Sequence, residues 1–306
     1  MDDASLIPGV RDFYLLLVMP IAVYWLSASV FHLFDCMRWF QAYKIHTYED
    51  GQKRNRATLP QVFRQVVTQQ VIQVVFALAV DRAITPSTEV DWSASSEQSM
   101  NANRTWTKTG PEILLSDIKP TSAPVMNEAS VLPANMRLAL QLACAIFVAD
   151  LWQYGWHRIF HSNKFLYKHV HAVHHRIYVP YSYGALYSSL IEAFLVDTIG
   201  TTVTFYLSGL PTLPATWFAS LSIIKSVNDH SGYVFPYNPF NYVSSNTTDF
   251  HDVHHQNWGM KYNYSQVYLT IWDDLLGTTM PKEEIAARGR RRLDAGTSAD
   301  KSDKTE

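Results

Sequence analysis

The chain is predicted to be an all-α, polytopic membrane protein of about four transmembrane helices with a histidine-rich cap on the cytosolic side. Three observations predict this: uncharged runs long enough to cross a bilayer, basic residues gathered in one loop, and histidines gathered near the ends of the runs. Phe13 to Phe34 is 22 residues with no formal charge, and Ile177 to Ile224 is 48 residues carrying only Glu192 and Asp197. Runs of this length and composition read as membrane spans.

The first run follows an acidic leader, Asp2 and Asp3, and is too long for the core of a cleaved signal, so it is read as a retained anchor. The next segment, Cys36 to Val66, holds six basic residues (Arg38, Lys44, Lys53, Arg54, Arg56, Arg64) against two acids. The positive-inside rule places it in the cytosol. Gln65 to Val80 is a shorter, weaker span, and Gln65, Gln69 and Gln73 lay a polar stripe down one helical face. That stripe is expected to face other helices rather than lipid.

Residues 82–134 are rich in Ser, Thr, Pro and Asn and contain the sequon Asn103-Arg104-Thr105. They read as a polar lumenal loop with Asn103 a candidate glycosylation site. A helix then runs back through Asp150 and delivers His157 and His161 at its cytosolic end. The apolar stretch after His175 is broken at Ser208 to Pro214, which suits a tight lumenal turn between two spanning helices.

The resulting organisation is 1–12, lumenal N-terminus; 13–81, two membrane helices with the basic loop; 82–134, lumenal loop; 135–281, catalytic domain; and 282–306, a disordered charged tail. Arginines cluster in that tail at 288 and 290–292. A net charge of −2 offers no basic surface of the kind nucleic acid requires. Cys36 and Cys144 make no disulfide framework.

Ten of the twelve histidines fall between 157 and 255. His157 and His161 are spaced i, i+4; His171, His174 and His175 are spaced i, i+3, i+4; His251, His254 and His255 repeat that pattern. On a helix each set projects from one face, so its rings converge on one point. A lone histidine is usually a hydrogen-bonded core residue, but three convergent sets need a cation to hold them. Eight or nine nitrogen donors exceed what one ion accepts, so two metals are implied. A pair of zincs remains open on ligand number, while a nitrogen-rich pair beside membrane spans suits iron that activates dioxygen. Asp229 and Asp252 adjoin histidines and are candidate acceptors behind the ligands. Asp150 and Glu192, costly at membrane depth, are expected near the site. His169 falls outside the pattern and reads as a structural or surface residue.

The signature H-x-x-x-H, H-x-x-H-H, H-x-x-H-H resembles that of the fatty acid hydroxylase and sterol desaturase superfamily. The text around it, "KHVHAVHHRIYVPYSYGALY", "VNDHSGYVFP" and "FHDVHHQNWGMKYNYSQVYLTIWDDLLGT", is similar to the sphinganine 4-hydroxylases. The resemblance implies a diiron centre with His157, His161, His171, His174, His175, His251, His254 and His255 as ligands, and His230 matches a further ligand position. It implies dioxygen as co-substrate and a non-haem diiron monooxygenase acting on carbon 4 of sphinganine or dihydroceramide. It further implies electrons from cytochrome b5 and an NAD(P)H-dependent reductase in trans, at the endoplasmic reticulum membrane with the site facing the cytosol. A sterol or sphingolipid desaturase, or a sterol methyl oxidase, is the alternative within the superfamily. A membrane metal transporter is the alternative outside it, disfavoured because the histidines lie at the ends of the spans rather than within them.

Overall fold

Four helices of the chain are long and apolar enough to cross a membrane: Asp12–Cys36, Leu59–Ala83, Ala134–Ser162 and Leu190–Ser208. The computed structural model describes residues 5–84, 132–281, 283–285 and 287, and among them no β-strand forms, apart from isolated bridges such as that between Lys44 and Tyr233. Asn103, residues 85–131 of the expected lumenal loop and the arginine cluster lie outside the described residues.

Helix α1 (Asp12–Cys36) follows directly from the uncharged run. After a one-turn segment, α2 (Tyr48–Arg54) opens on a capping box in which Thr47 and Asp50 satisfy each other's backbone N–H groups at 3.1 and 3.2 Å. In α3 (Leu59–Ile84), Pro60 lies in the first turn, where its missing N–H costs nothing. At the other end of this pair Arg11, just before α1, pairs with Asp81 of α3 through contacts of 2.5 and 3.0 Å.

Helix α4 (Ala134–Ser162) ends at Asn163, whose side chain accepts from Phe165 and Leu166 N–H and so starts α5 (Lys164–His169). The long apolar stretch departs from the expected pair of spans. Residues 177–189 are extended and 3₁₀ backbone, and the helix begins only at Leu190: α6 (Leu190–Glu192), a π-helical segment (Ala193–Ile199) and α7 (Gly200–Ser208), all continuous. The tight turn does fall where Gly and Pro predict it. Gly209 adopts φ +61°, the left-handed region open to glycine, and α8 (Thr212–His230) leaves after Pro211.

Helix α1 packs along α8, and α4 along α7. At the second crossing Gly200 lets the Trp152 ring approach so closely that a Cβ would lie 2.6 Å from it. The core is not purely helical: Tyr24 and Ala28 of α1, Val62 and Val66 of α3 and Val227 of α8 enclose Ile177, Tyr183 and Tyr187. The irregular backbone carries carbonyls that need donors at this depth. The glutamine stripe supplies them: Gln65 donates to Ser188 O at 2.8 Å and Gln69 to Leu186 O at 2.7 Å. Gln65 and Gln69 therefore face the 3₁₀ and extended backbone of 182–188 rather than a long helix.

Beyond α8 come α9 (Phe240–Val243), α10 (Thr248–His255) and α11 (Ile271–Leu275). Buried carboxylates fix the loop between the last two. Asp150 of α4 accepts from the N–H groups of Val267, Tyr268 and Leu269, and Asp273 from those of Tyr264 and Ser265. Gly259 turns the chain tightly under α10, where a Cβ would fall 1.8 Å from the Val253 carbonyl oxygen. Since the obstacle is backbone, Gly259→Ala is expected to cost about 2 kcal/mol or more. The readout is the thermal midpoint of the detergent-solubilised protein, which falls; an unchanged midpoint would show that the turn can open freely.

Candidate metal centre

Nine imidazoles from four parts of the chain meet at one end of the helices. They come from α4 (His157, His161), a 3₁₀ segment His171–Arg176 (His171, His174, His175), the end of α8 (His230) and α10 (His251, His254, His255). They form two groups, in each of which the candidate ligand atoms all lie within 4.8 Å of one another: His157, His161, His171, His175 and His254, and His174, His230, His251 and His255. The motifs do not each converge on one point, as helical spacing suggests. His171 and His175 enter the first group and His174 the second, while His254 enters the first and His251 and His255 the second.

Backbone carbonyls determine which nitrogen of each ring points inward. Nδ1 of His157 lies 2.7 Å from Tyr264 O, that of His174 2.9 Å from Tyr187 O, that of His254 2.7 Å from Tyr262 O and that of His255 2.8 Å from Ile177 O. His230 Nδ1 lies 2.9 Å from Ser226 O, and His171 Nδ1 2.6 Å from the Glu192 carboxylate. Carbonyl and carboxylate oxygens accept, so Nδ1 carries the proton and Nε2 is left with a bare lone pair.

The inward nitrogens lie against one another. His175 Nε2 is 3.1 Å from Nε2 of both His161 and His171, and His251 Nε2 is 3.0 Å from Nε2 of both His230 and His255. Nε2 of His157, His174 and His254 is buried with no hydrogen-bond partner. Burial keeps these rings neutral: it pushes His254 down to about 3, and lowers His171, His174, His175, His251 and His255 as well.

Bare buried acceptors such as Nε2 of His157, His174 and His254 are unfavourable until a cation meets them. Two nitrogens bound to one ion at about 2.1 Å stand about 3.0 Å apart at a right angle and about 3.4 Å apart at the tetrahedral angle. The five donors of the first group exceed the four of a closed zinc site. The nitrogen-rich donor set fits transition-metal binding.

The residues adjoining the motifs act differently from what their positions suggest. Asp252 lies 2.9 and 3.0 Å from His46 Nε2, and Asp229 pairs with Lys225 and accepts from Asn228 and Asn246. Neither bonds one of the nine rings, because the next residue on a helix points about 100° away from its neighbour. Glu192 does, and its cost at membrane depth was the signal for it. His46 carries no spacing signal at all. His169 is exposed.

A cavity of about 550 Å³ opens from the second group into the helices. His230 and His251 line one part of it, and Phe13, Leu16, Leu17, Pro20, Ile21, Val74, Phe76 and Val80 line its apolar reach between α1 and α3. Trp152 also lines it.

Comparison with known proteins agrees with this geometry. The fatty acid hydroxylase family profile matches residues 142–278, which include all nine histidines. Sphinganine C4-monooxygenase 1 of Arabidopsis thaliana is 37% identical over 89% of this chain and 90% of its own length. The chain belongs to the fatty acid hydroxylase family. Other relatives in that range are the sphingolipid C4-hydroxylase SUR2 of Saccharomyces cerevisiae, 35% identical over 94% of this chain and 78% of its own, and the very-long-chain aldehyde decarbonylase GL1-9 of Oryza sativa subsp. japonica, 37% identical over 86% of both. No solved structure matches. The family is one of non-haem iron oxygenases, and its members' histidine clusters have their counterpart in the two groups here.

Glu192→Leu removes the carboxylate that orients His171 while leaving an apolar side chain of similar size. It is expected to weaken metal retention roughly 10- to 100-fold, measured by chelator competition on the purified protein. Equal retention would show that the carboxylate does not set the ring.

Proposed function

We propose that this protein is a membrane diiron monooxygenase that hydroxylates carbon 4 of sphinganine or dihydroceramide. The observation that carries the reading is the direct opening of the imidazole nest, through His230 and His251, onto an apolar cavity of ligand size between membrane helices. The names of the Arabidopsis and yeast relatives supply the substrate class.

The first group of imidazoles would hold one iron and the second the other. Together the ions would supply activation of dioxygen for attack on an unactivated C–H bond, with electrons delivered in trans by cytochrome b5 and its NAD(P)H-dependent reductase. The chain's own residues orient and exclude. Carbonyls of Ile177, Tyr187, Tyr262 and Tyr264 hold the rings in register, and the cavity walls take the hydrocarbon and keep water from it. An alkyl chain has no handle at its target carbon, so position along the cavity must select it.

On this reading 135–281 is the catalytic domain, the site faces the cytosol at the endoplasmic reticulum membrane, and the 82–134 loop, with Asn103, is lumenal. The basic residues Lys53, Arg54 and Arg56 lie on the nest's side of the bilayer and form a docking surface for an acidic electron donor.

Expression in cells lacking their own 4-hydroxylated long-chain bases tests the reading, with lipids analysed by mass spectrometry. Trihydroxy bases are expected to return with the wild-type chain and to be absent with His174→Ala. Alkanes one carbon shorter than a supplied aldehyde, with no trihydroxy base, would overturn it in favour of the decarbonylase chemistry named for the rice relative.

A further inference from the structure

Three carboxylates line the cavity: Asp81, Asp197 and Asp229. Two are matched by cations, Asp81 by Arg11 and Asp229 by Lys225. Asp197 forms no ion pair among the described residues, and the polar side chain acting on it is the Gln153 amide, itself a cavity residue. An unmatched acid facing an apolar cavity at membrane depth is costly, and such residues ordinarily mark a substrate or ion path.

The local backbone is shaped to place it there. Asp197 lies in the π-helical segment Ala193–Ile199, held from α4 by Trp152, whose Nε1 donates to Leu195 O at 3.2 Å. A π turn rotates the side chains that follow it, and Val196 and Asp197 both reach the cavity. The pair also sits close to the nest in sequence register. Gln153 is four residues, one helical turn or about 6 Å, before His157 on α4. Asp197 follows five residues after Glu192, which hydrogen-bonds His171.

We propose that Asp197, with Gln153, is the receptor for the primary ammonium of a long-chain base, and that it selects the free base over its N-acylated form. The inference rests on the hydroxylase reading and deepens it. In such a base the amine is on carbon 2, two bonds from carbon 4, so a chain tethered by its nitrogen one turn from the nest presents carbon 4 to it. The rest of the hydrocarbon lies along Leu16, Leu17 and Ile21. An amide nitrogen carries no charge and cannot neutralise the carboxylate, so acylation forfeits the pairing.

Equilibrium binding of labelled sphinganine and N-acetylsphinganine to the purified full chain tests this without requiring turnover. The wild type is expected to bind the free base about tenfold more tightly. Asp197→Asn is expected to lose that preference while binding the N-acetyl compound as before, and Asp197→Glu to keep it. Equal binding of the two compounds by the wild type, preference retained by Asp197→Asn, or loss of both compounds by that variant would each overturn the proposal. Preference for the amine without any 4-hydroxylated product would retire the hydroxylase reading and leave this site standing. Product formation without the preference would do the reverse.

Discussion

Nine neutral rings gathered at one end of the helices are the constraint on which the rest of the structure depends. At six of them Nδ1 is spent on an oxygen acceptor, as at His157 on Tyr264 O and His254 on Tyr262 O, which leaves the inward nitrogen bare. Such an arrangement repels itself, so the nest and its cations are parts of one folding equilibrium. The supports extend outward in order: Asp150 and Asp273 hold the backbone of 264–269, and carbonyls of the adjoining loop hold the imidazoles. Carboxylates that touch no ring thereby fix the rings.

The membrane imposes a second condition. Extended backbone from 177 to 189 closes the core against α1 and α3, which is admissible at this depth because its carbonyls are paired. Gln65 and Gln69 pair two of them, Tyr24 donates to Tyr183 O at 2.8 Å, and Ser182 donates in turn to Ala28 O at 2.9 Å. The cavity lies beside this packed core, lined by α1, α3, α4, α7, α8 and the π-helical segment. The polar groups of the helices thus support its walls rather than cross the bilayer in their own right.

Much of this was legible in the sequence. The first uncharged run gave α1 because backbone facing hydrocarbon must satisfy itself as a helix, and histidine spacing gave the gathering of rings because i, i+3 and i+4 share a helical face. What was not legible depends on long-range partners. The spacing of His171, His174 and His175 reads as one helical face, yet the segment winds as a 3₁₀ turn and distributes its rings between groups. The Gln65–Gln69–Gln73 stripe announces a need for partners without saying that those of Gln65 and Gln69 are carbonyls more than a hundred residues away. His46 has no neighbour in sequence to mark it, and the π turn that carries Asp197 has no compositional signature.

The sharing of each H-x-x-H-H segment between both groups has a further consequence. Neither half of the nest can be discarded, replaced or inherited as a module, since deleting either segment removes donors from both sides at once. A lineage descended from such an arrangement can drift in lipid preference through the walls around Asp197 and Trp152. It cannot drift to a single-ion catalyst by small steps, because every such step first damages the half it would have to keep.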